Sequence, residues 1–326
     1  MRFLHVANGT STTATIHEAV IPGLTSIWAD PLHEGPVPGH LTDEELLDVR
    51  ARHLASAGID AADTIAALRG WREAIDDRAS YDELVLWYEH DLFDQLNLIQ
   101  LLSRIGQSSL SSRSVSLICI NAFPGHPQFK GLGELAAGEL ASLFDTRQPV
   151  SQAQYALAAR AWDAFRASDP LALDALLGTD TSALPFLAAA LQRHLQEYPW
   201  TRDGLSRTER RLMTLAERGP IDIWKAFPLV HEDETAFYIA DSSLWQVATE
   251  LESARPSLIT VAATSTAPGR LPAATIALTG TGQSVLGGDV DRVEQCGIDR
   301  WLGGVHLVSS EPMWRWDERQ QRVLQC

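Results

Sequence analysis

Four short apolar runs in the first 120 residues constrain the fold most strongly. They are β-like, and segments long enough to hold helices separate them. Strands that are apolar along most of their length are typical of parallel sheets with both faces covered. The chain is therefore predicted to begin with an α/β, Rossmann-like parallel sheet. The runs are Phe3–Ala7, Thr25–Ala29, Glu83–Tyr88 and Val115–Ile120.

Helix signals fill the gaps between these runs. Thr42, with Glu45 three residues later, forms a capping box that predicts a helix ending near Gly58. Asp91 or Asp94 is suited to cap a further helix after the third run. Strands and helices alternate in this part of the chain, as a doubly covered parallel sheet requires.

The pattern changes after Gly131, where helical segments follow one another. Further on, three predicted helices (206–218, 221–227 and 241–253) precede two strand candidates, Leu258–Ala262 and Thr275–Leu278, which flank a tip at Ala267–Pro272. This order is typical of a winged-helix-like domain. We therefore predict four segments: a Rossmann-like α/β domain (1–131), a helical linker or subdomain (132–200), a winged-helix-like domain (201–290) and a C-terminal tail with an aromatic strand (291–326).

Charge and cysteine content narrow the class of protein. Lys and Arg total 26 against 42 Asp and Glu, which gives a net charge of −16 and argues against broad binding to nucleic acid or to an anionic membrane. The three cysteines are far apart, and their spacing indicates neither a disulfide framework nor a zinc site. With no long apolar run, the sequence predicts an acidic cytoplasmic protein with no membrane segment.

Unusual polar residues follow each of the four predicted strands. Because ligands bind outside the carboxyl ends of the strands in an open parallel sheet, we predict a shared pocket there. Each group could instead consist of ordinary polar loop residues that bind no ligand. The candidate residues are Asn8, Gly9, Thr10 and Ser11 after the first strand, Asp30, His33 and Glu34 after the second, Glu89, His90, Asp91 and Gln95 after the third, and His126 after the fourth.

These groups suggest two kinds of chemistry. The segment Asn8–Ser11 enters a helix, and a helix N-terminus attracts a phosphate or carboxylate. His33, Glu89, His90 and Asp91 are the candidate catalytic residues, since imidazole and carboxylate groups hold divalent metals or act as general acids and bases. Structural roles are open as well, with Asp91 as a helix N-cap and His33 as a turn residue. Glu89 directly follows a buried run, where loss of solvent shifts a carboxyl pKa toward useful values.

A further motif, which contains the paired glycines Gly303 and Gly304, lies near the C-terminus at residues 297–306. If this tail packs on the sheet, Arg300 and His306 would complete the ligand pocket. The alternative is a domain-docking strand in which Trp301 is part of a core and Asp299 forms an ion pair with Arg300. The sequence alone leaves both open.

Several of these motifs resemble a bacterial family, the domain of unknown function 1835 family. The resemblance covers roughly residues 1–145, and the phrase at 297–306 is similar to the usual tail of full-length members. It implies the same map of candidate residues and no particular reaction. This chain has Thr10 where many members have Asp. The motifs are His5-Val6-x-Asn8-Gly9, Trp28-x-Asp30-x-Leu32-His33-Glu34-Gly35-Pro36, Leu86-Trp87-Tyr88-Glu89-His90-Asp91-Leu92-Phe93-Asp94-Gln95 and Phe123-Pro124-Gly125-His126.

Two classes of function follow from these patterns. The first is a ligand-processing enzyme, with metal-assisted hydrolysis of a phosphorylated or nucleotide-like ligand as its most concrete form. Because carboxylates alone would repel such an anion, that form requires a divalent metal. The alternative is a ligand-sensing regulator or protein-interaction module that uses the winged helix. The predicted recognition helix 241–253 has no Lys or Arg, which favours protein contact or a homodimer over DNA.

Overall fold

The computed structural model describes residues 1–56, 60–108, 114–263 and 271–326. Within them, the chain divides into two compact units. The first comprises Met1–Leu191 with Gly303–Val305, and the second comprises Gln192–Leu302 with His306–Cys326. The expected helix end near Gly58 and most of the expected tip at 267–272 lie outside the described residues.

The first unit contains a five-stranded, mostly parallel sheet. Its strands are β1 (Phe3–Ala7), β2 (Leu24–Ile27), β4 (Glu83–Glu89), β5 (Ser114–Ile120) and β6 (Gln148–Pro149), and the short β3 (Gly35–Pro36) lies outside it. The order is β2-β1-β4-β5-β6, with only β6 antiparallel to its neighbour. Strand β4 is buried along its whole length. The α/β class with a mostly parallel sheet, predicted from the apolar runs, is confirmed.

The order of the strands creates a topological switch point beside β1. The chain passes from β1 to β2 on one side, and then from β2 to β4 on the other side of β1. A crevice opens at the carboxyl ends of two strands where the winding reverses in this way. Here the crevice lies between Asn8, which follows β1, and Glu89, which ends β4.

Helices cover this sheet, and their boundaries follow the capping signals. Thr42 and Glu45 form the expected reciprocal capping box, as do Ser151 and Gln154. One core cluster joins Val85 and Trp87 of β4 to apolar residues of the first and fifth helices. The helices are α1 (Thr10–Glu18), α2 (Asp43–Ser56), α3 (Ala61–Asp76), α4 (Leu92–Gln107), α5 (Ala137–Phe144), α6 (Gln152–Arg166), α7 (Leu171–Leu177) and α8 (Leu187–Leu195), with a 3-10 turn at Leu132–Glu134.

The second unit combines helices with small antiparallel sheets. A three-stranded sheet has the order β7-β9-β8, and β12 pairs with β13. The remaining elements are α9 (Arg207–Leu215), β7 (Ile221–Asp222), α10 (Ile223–Val230), α11 (Asp241–Ser253), β8 (Ile259–Ala263), β9 (Ala274–Leu278), α12 (Gly280–Gly287), α13 (Arg292–Cys296), β10 (Asp299–Gly303), β11 (Val305–Val308), β12 (Trp314–Asp317) and β13 (Arg322–Gln325).

The sequence analysis missed α3 and the short strand β7. The segment 221–227, expected to be wholly helical, begins instead with the two residues of β7. Among the described residues, no helix has the length and apolar character needed to cross a membrane.

Candidate functional site

The candidate site is a group of buried polar side chains at the switch point between β1 and β4. Asp94, in the first turn of α4, connects the two strand ends. One of its carboxyl oxygens accepts the backbone N–H of Glu89 at 2.9 Å, and the other accepts Nδ2 of Asn8 at 2.9 Å. The Asn8 side chain is also close enough to the Glu89 carboxyl to lower its pKa in part. The structure thus brings the predicted residues Asn8 and Glu89 together.

Asp91 and Gln95, at the start of α4, hydrogen-bond the backbone of Asp94 and Glu89. Asp91 is the N-cap of α4, and its carboxyl accepts the backbone N–H of Asp94 at 2.9 Å. Gln95 is buried, and its amide donates to the carbonyl of Glu89 at 2.6 Å. The side chain of Gln95 is thus used within the protein, and the structural role weighed for Asp91 is realised.

A backbone segment after β5 covers the Glu89 carboxyl. The backbone N–H of Leu132 donates to Glu89 Oε1, and a Cβ placed on Gly131 would overlap the same carboxyl group. Glu89 is only 5% exposed as a result. A Cβ placed on Gly133 would come within 3.0 Å of Ser11 Oγ, so this segment also passes close to the start of α1.

Burial and neighbouring carboxyl groups raise the pKa of both Glu89 and Asp94. Loss of solvent, and secondarily the charge of Asp91, raise the pKa of Glu89 to about 8. The same causes, with Glu89 and Asp91 as charged neighbours, raise the pKa of Asp94 well above its ordinary value. At neutral pH, Glu89 is therefore mostly a neutral carboxylic acid, which can donate a hydrogen bond or a proton.

The start of α1 presents unused hydrogen-bond donors at the same edge. Its N-cap is Gly9, which supplies no side-chain cap, and the first turn holds no acidic residue. Thr10 and Ser11 are exposed there. The first N–H groups of a helix lack partners within the helix, and together with the helix dipole they attract anions.

The polar residues after β2 contact helices α2 and α4. Arg50 of α2 makes a buried ion pair with Asp30 at 2.7 Å and donates to the carbonyls of Pro31 and Glu34. His33 lies 3.1 Å from the carboxyl of Glu34 and edge-on to Phe93 of α4. Asp30 and Glu34 thus hold the loop in place. The Phe93 contact places the His33 ring close to the first turn of α4.

Two further candidates contact other parts of the first unit. The ring of His90 packs edge-on against Phe186, with the centroids 6.2 Å apart. His126 pairs with Glu139 of α5 at 3.1 Å. Strand β4 ends at Glu89, and α4 begins at Leu92, so the chain turns at His90. His90 thus directly follows Glu89 in the chain, and His126 lies in the loop between β5 and α5.

Arg300 and His306 belong to ion pairs within the second unit. Arg300 bonds Glu209 at 2.6 Å and Glu250 at 3.3 Å. His306 pairs with Asp299 at 2.7 Å and stacks on Trp301 with the ring centroids 4.4 Å apart. The ion pair expected between Asp299 and Arg300 is therefore replaced by these two pairs.

Some residues of the site were not singled out from the sequence as ligand-binding or catalytic. Asp94 was identified only as a helix cap, and the Gly131–Leu132 segment was identified only as a domain boundary. A helix cap that follows a predicted catalytic carboxylate by five residues is the one local signal that could have marked Asp94. In the part of the chain that the structure describes, no three His, Cys, Asp or Glu side chains are grouped in a way that could hold a metal ion.

Comparisons with known proteins give no further assignment. No family model matches the chain, and no curated protein is significantly similar to it. The resemblance noted from the sequence motifs therefore stays a prediction.

Proposed function

We propose that the first unit is a ligand-processing enzyme that binds a small anionic ligand at the switch point and donates a proton to it from Glu89. One observation carries this proposal: a carboxyl group with a pKa of about 8 lies beside a helix N-terminus that has no side-chain cap. Phosphorylated or nucleotide-like ligands fit this chemistry, since their phosphate oxygens suit the start of α1.

The protonation of Glu89 removes one negative charge that would otherwise repel an anionic ligand. Ionised carboxylates would repel a phosphate, but Glu89, with a pKa of about 8, is mostly protonated at neutral pH because it is buried. The described part of the chain holds no group of three or more metal-ligating side chains, and the proposal assigns no step to a metal.

General acid catalysis is the reaction type that this carboxyl favours. A proton donor is most effective when its pKa lies near the working pH, and such a donor typically contributes a factor of about 10² to 10⁴ in rate. Protonation of a leaving-group oxygen during hydrolysis of a phosphorylated ligand is the corresponding step. Because Leu132 and Gly131 lie against the carboxyl, a ligand that contacts Glu89 has to displace this backbone segment.

Charge at the start of α1 tests the binding part of the proposal. In Thr10→Glu, the new carboxylate favours the helix dipole but repels an anionic ligand. Ala14→Glu is the matched control, because residue 14 is an exposed position later in the same helix. The measurement is a thermal-shift panel of phosphate monoesters and nucleotides. A ligand that binds, present at 100 times its dissociation constant, should stabilise the wild type and Ala14→Glu by about 2.7 kcal/mol. Thr10→Glu should show no such shift.

Glu89→Gln tests the chemical part. The amide resembles the protonated acid in size, so the variant should still bind the ligand that stabilises the wild type. Its rate of phosphate release should fall by about 10²-fold or more, because the amide has no proton to donate. An unchanged rate, or equal ligand shifts in Thr10→Glu and the wild type, would contradict the proposal.

A second candidate function rests on the second unit. The order of α9, β7, α10, α11, β8 and β9, with the sheet order β7-β9-β8, supports a winged-helix-like interpretation. Helix α11 carries Asp241, Glu250 and Glu252 and no basic residue. Protein contact or homodimer formation therefore fits this unit better than DNA binding. Sedimentation of the intact chain at micromolar concentration would detect a dimer, and a gel-shift titration with duplex DNA would detect the competing activity.

A further inference from the structure

A second polar cavity lies in the first unit, away from the switch point. It has a volume of about 100 Å³, which is large enough to hold several water molecules. Four helices contribute to its wall: α2, α3, α4 and α6. The lining residues are Trp28, Asp43, Arg72, Gln100, Ser103, Arg104, Gln107, Trp162, Asp163 and Arg166. We call this cavity the arginine cleft.

The arginine cleft gathers three guanidinium groups in a strongly acidic chain. Arg72 and Arg104 are mostly buried, with side-chain exposures of 13% and 24%. The carboxylates that pair with them are more exposed: Glu44 is 70% exposed, and Asp43 and Asp76 are 56% and 49% exposed. Exposed ion pairs of this kind contribute little, because water screens them. An anion inside the cleft would interact with the cations where screening is weaker.

Arg166 is the least neutralised of the three cations. It is only 9% exposed and donates to the backbone carbonyls of Pro38 and Leu41 at 2.9 and 2.7 Å. Its guanidinium also lies 5.3 Å from the centre of the Trp162 ring. Among the residues that the structure describes, no carboxylate lies within 4.0 Å of it. Burial accordingly lowers the pKa of Arg166, and an anion nearby would favour its charged form.

The protein also leaves hydrogen-bond donors unused around this cleft. Nε of Arg104 and Nε of Arg166 are buried and have no acceptor within the described part of the chain. A buried donor without an acceptor is costly, so a ligand that supplies acceptors and induces a small rotation of either guanidinium would relieve the cost. Gln100, Ser103 and Gln107 add neutral polar groups to the same wall.

We propose that the arginine cleft is a second binding site, specific for a small tetrahedral oxyanion such as phosphate. Arginine presents planar arrays of donors that match phosphate oxygens, and three arginines line the cleft. A volume of about 100 Å³ accommodates a free ion or a single phosphate group. Because Arg104 follows Asp94 by ten residues on α4, the two sites are separated by about 15 Å along that helix.

Titration calorimetry with inorganic phosphate in a low-salt, phosphate-free buffer tests this site. One phosphate should bind per chain to the cleft of the wild type, and tryptophan fluorescence should change because Trp28 and Trp162 line it. Arg72→Gln should weaken binding by about tenfold or more, the loss expected for a charge-assisted hydrogen bond. Arg69→Gln is the matched control, because Arg69 lies one turn earlier on α3, is 52% exposed and does not line the cleft.

Two further arms separate this site from the switch point and identify the source of the phosphate group. Thr10→Glu should leave phosphate binding to the cleft intact, so failure of the proposed enzyme site would not affect the result. Glycerol 3-phosphate in place of inorganic phosphate should bind comparably if the cleft takes a phosphate group, and more weakly if it takes the free ion. No phosphate binding, or equal affinities in the wild type and Arg72→Gln, would overturn the assignment.

Discussion

At the scale of single residues, the carboxyl group of Glu89 lies so close to Gly131 that it requires glycine at this position. Its φ of 176° is ordinary extended backbone, so alanine would cause no backbone strain there. A Cβ at this position would, however, overlap the Glu89 carboxyl. The requirement for glycine is therefore steric, and it comes from a residue 42 positions earlier in the chain.

Gly131→Ala should destabilise the protein by about 1–3 kcal/mol, the usual cost of adding a methyl group to a filled space. The measurement is urea unfolding followed by circular dichroism. Gly138→Ala in α5 is the control: a Cβ there meets nothing within 4 Å, so alanine should be neutral or stabilise by up to about 1 kcal/mol. In a Glu89→Asp background, whose carboxyl is one methylene shorter, the cost of Gly131→Ala should fall. An unchanged cost would show that the two residues do not interact.

At the scale of elements, the Arg50–Asp30 pair fixes the loop after β2 to helix α2. Arg50 is 1% exposed, and it uses its guanidinium for both Asp30 oxygens and for two backbone carbonyls of the loop. Asn97 of α4 holds the same loop by bonds to the backbone N–H and carbonyl of Asp30. The loop that carries His33 is therefore anchored by two helices.

Arg50→Met should destabilise the chain by about 3–5 kcal/mol, because it leaves the Asp30 carboxylate buried without its cation. Asp30→Asn combined with Arg50→Met should recover part of the loss, since the unpaired charge is then removed as well. Arg69→Met, in an exposed pair on α3, should change stability by no more than about 0.5 kcal/mol. Thermal denaturation at pH 7 distinguishes these variants, and equal losses at Arg50 and Arg69 would be incompatible with a structural role for the buried pair.

Elements with strong local signals were predictable from the sequence. β1 and α11 have the boundaries that their apolar patterns predict, and the Ser206–Glu209 capping box marks the start of α9. Helix α3 was missed because its apolar pattern is interrupted by polar residues and by Gly70, although Asp60 caps its start. Strand β7 was missed because two residues are too few for an alternating pattern.

The candidate site was predictable only where a general rule of parallel sheets applies. The rule that ligands bind at strand ends predicts that Asn8 and Glu89 lie at the same edge of the sheet. In the structure, Asp94 accepts hydrogen bonds from both residues. The contact of Leu132 with Glu89 spans 43 residues, and no local pattern encodes it. Arg50 as the partner of Asp30 depends in the same way on how α2 packs, which the sequence does not specify.

At the scale of the whole molecule, the two units contain buried carboxyl groups with opposite pKa shifts. In the first unit, the pKa of Glu89 is raised to about 8 from an ordinary 4.5. In the second unit, burial alone would raise the pKa of Glu209, but Arg300 and Arg292 overcome this effect and lower it to about 2. Each unit of pKa difference between the folded and unfolded states changes stability by about 1.4 kcal/mol.

The two units should therefore lose stability at opposite ends of the pH scale. The contribution of Glu89 is fully present below pH 4.5 and is lost as the pH rises through about 8, because the unfolded state ionises first. The contribution of Glu209 is present above pH 4.5 and is lost as the pH falls through about 2, because the unfolded state takes up the proton first.

Hydrogen exchange of the intact chain, corrected for the intrinsic effect of pH on exchange, can follow both units in one experiment. Peptides from β4 and α4 should lose protection as the pH rises from about 5 to about 8, whereas peptides from α9 should lose it as the pH falls from about 5 toward 2. Glu89→Gln should flatten the alkaline loss in the first set and leave the second unchanged, because an amide does not titrate. Glu209→Gln should lower the protection of α9 already at pH 6, since Arg300 and Arg292 lose their shared carboxylate. If both sets of peptides lost protection together at either extreme, the two carboxyl groups would not act separately on their units.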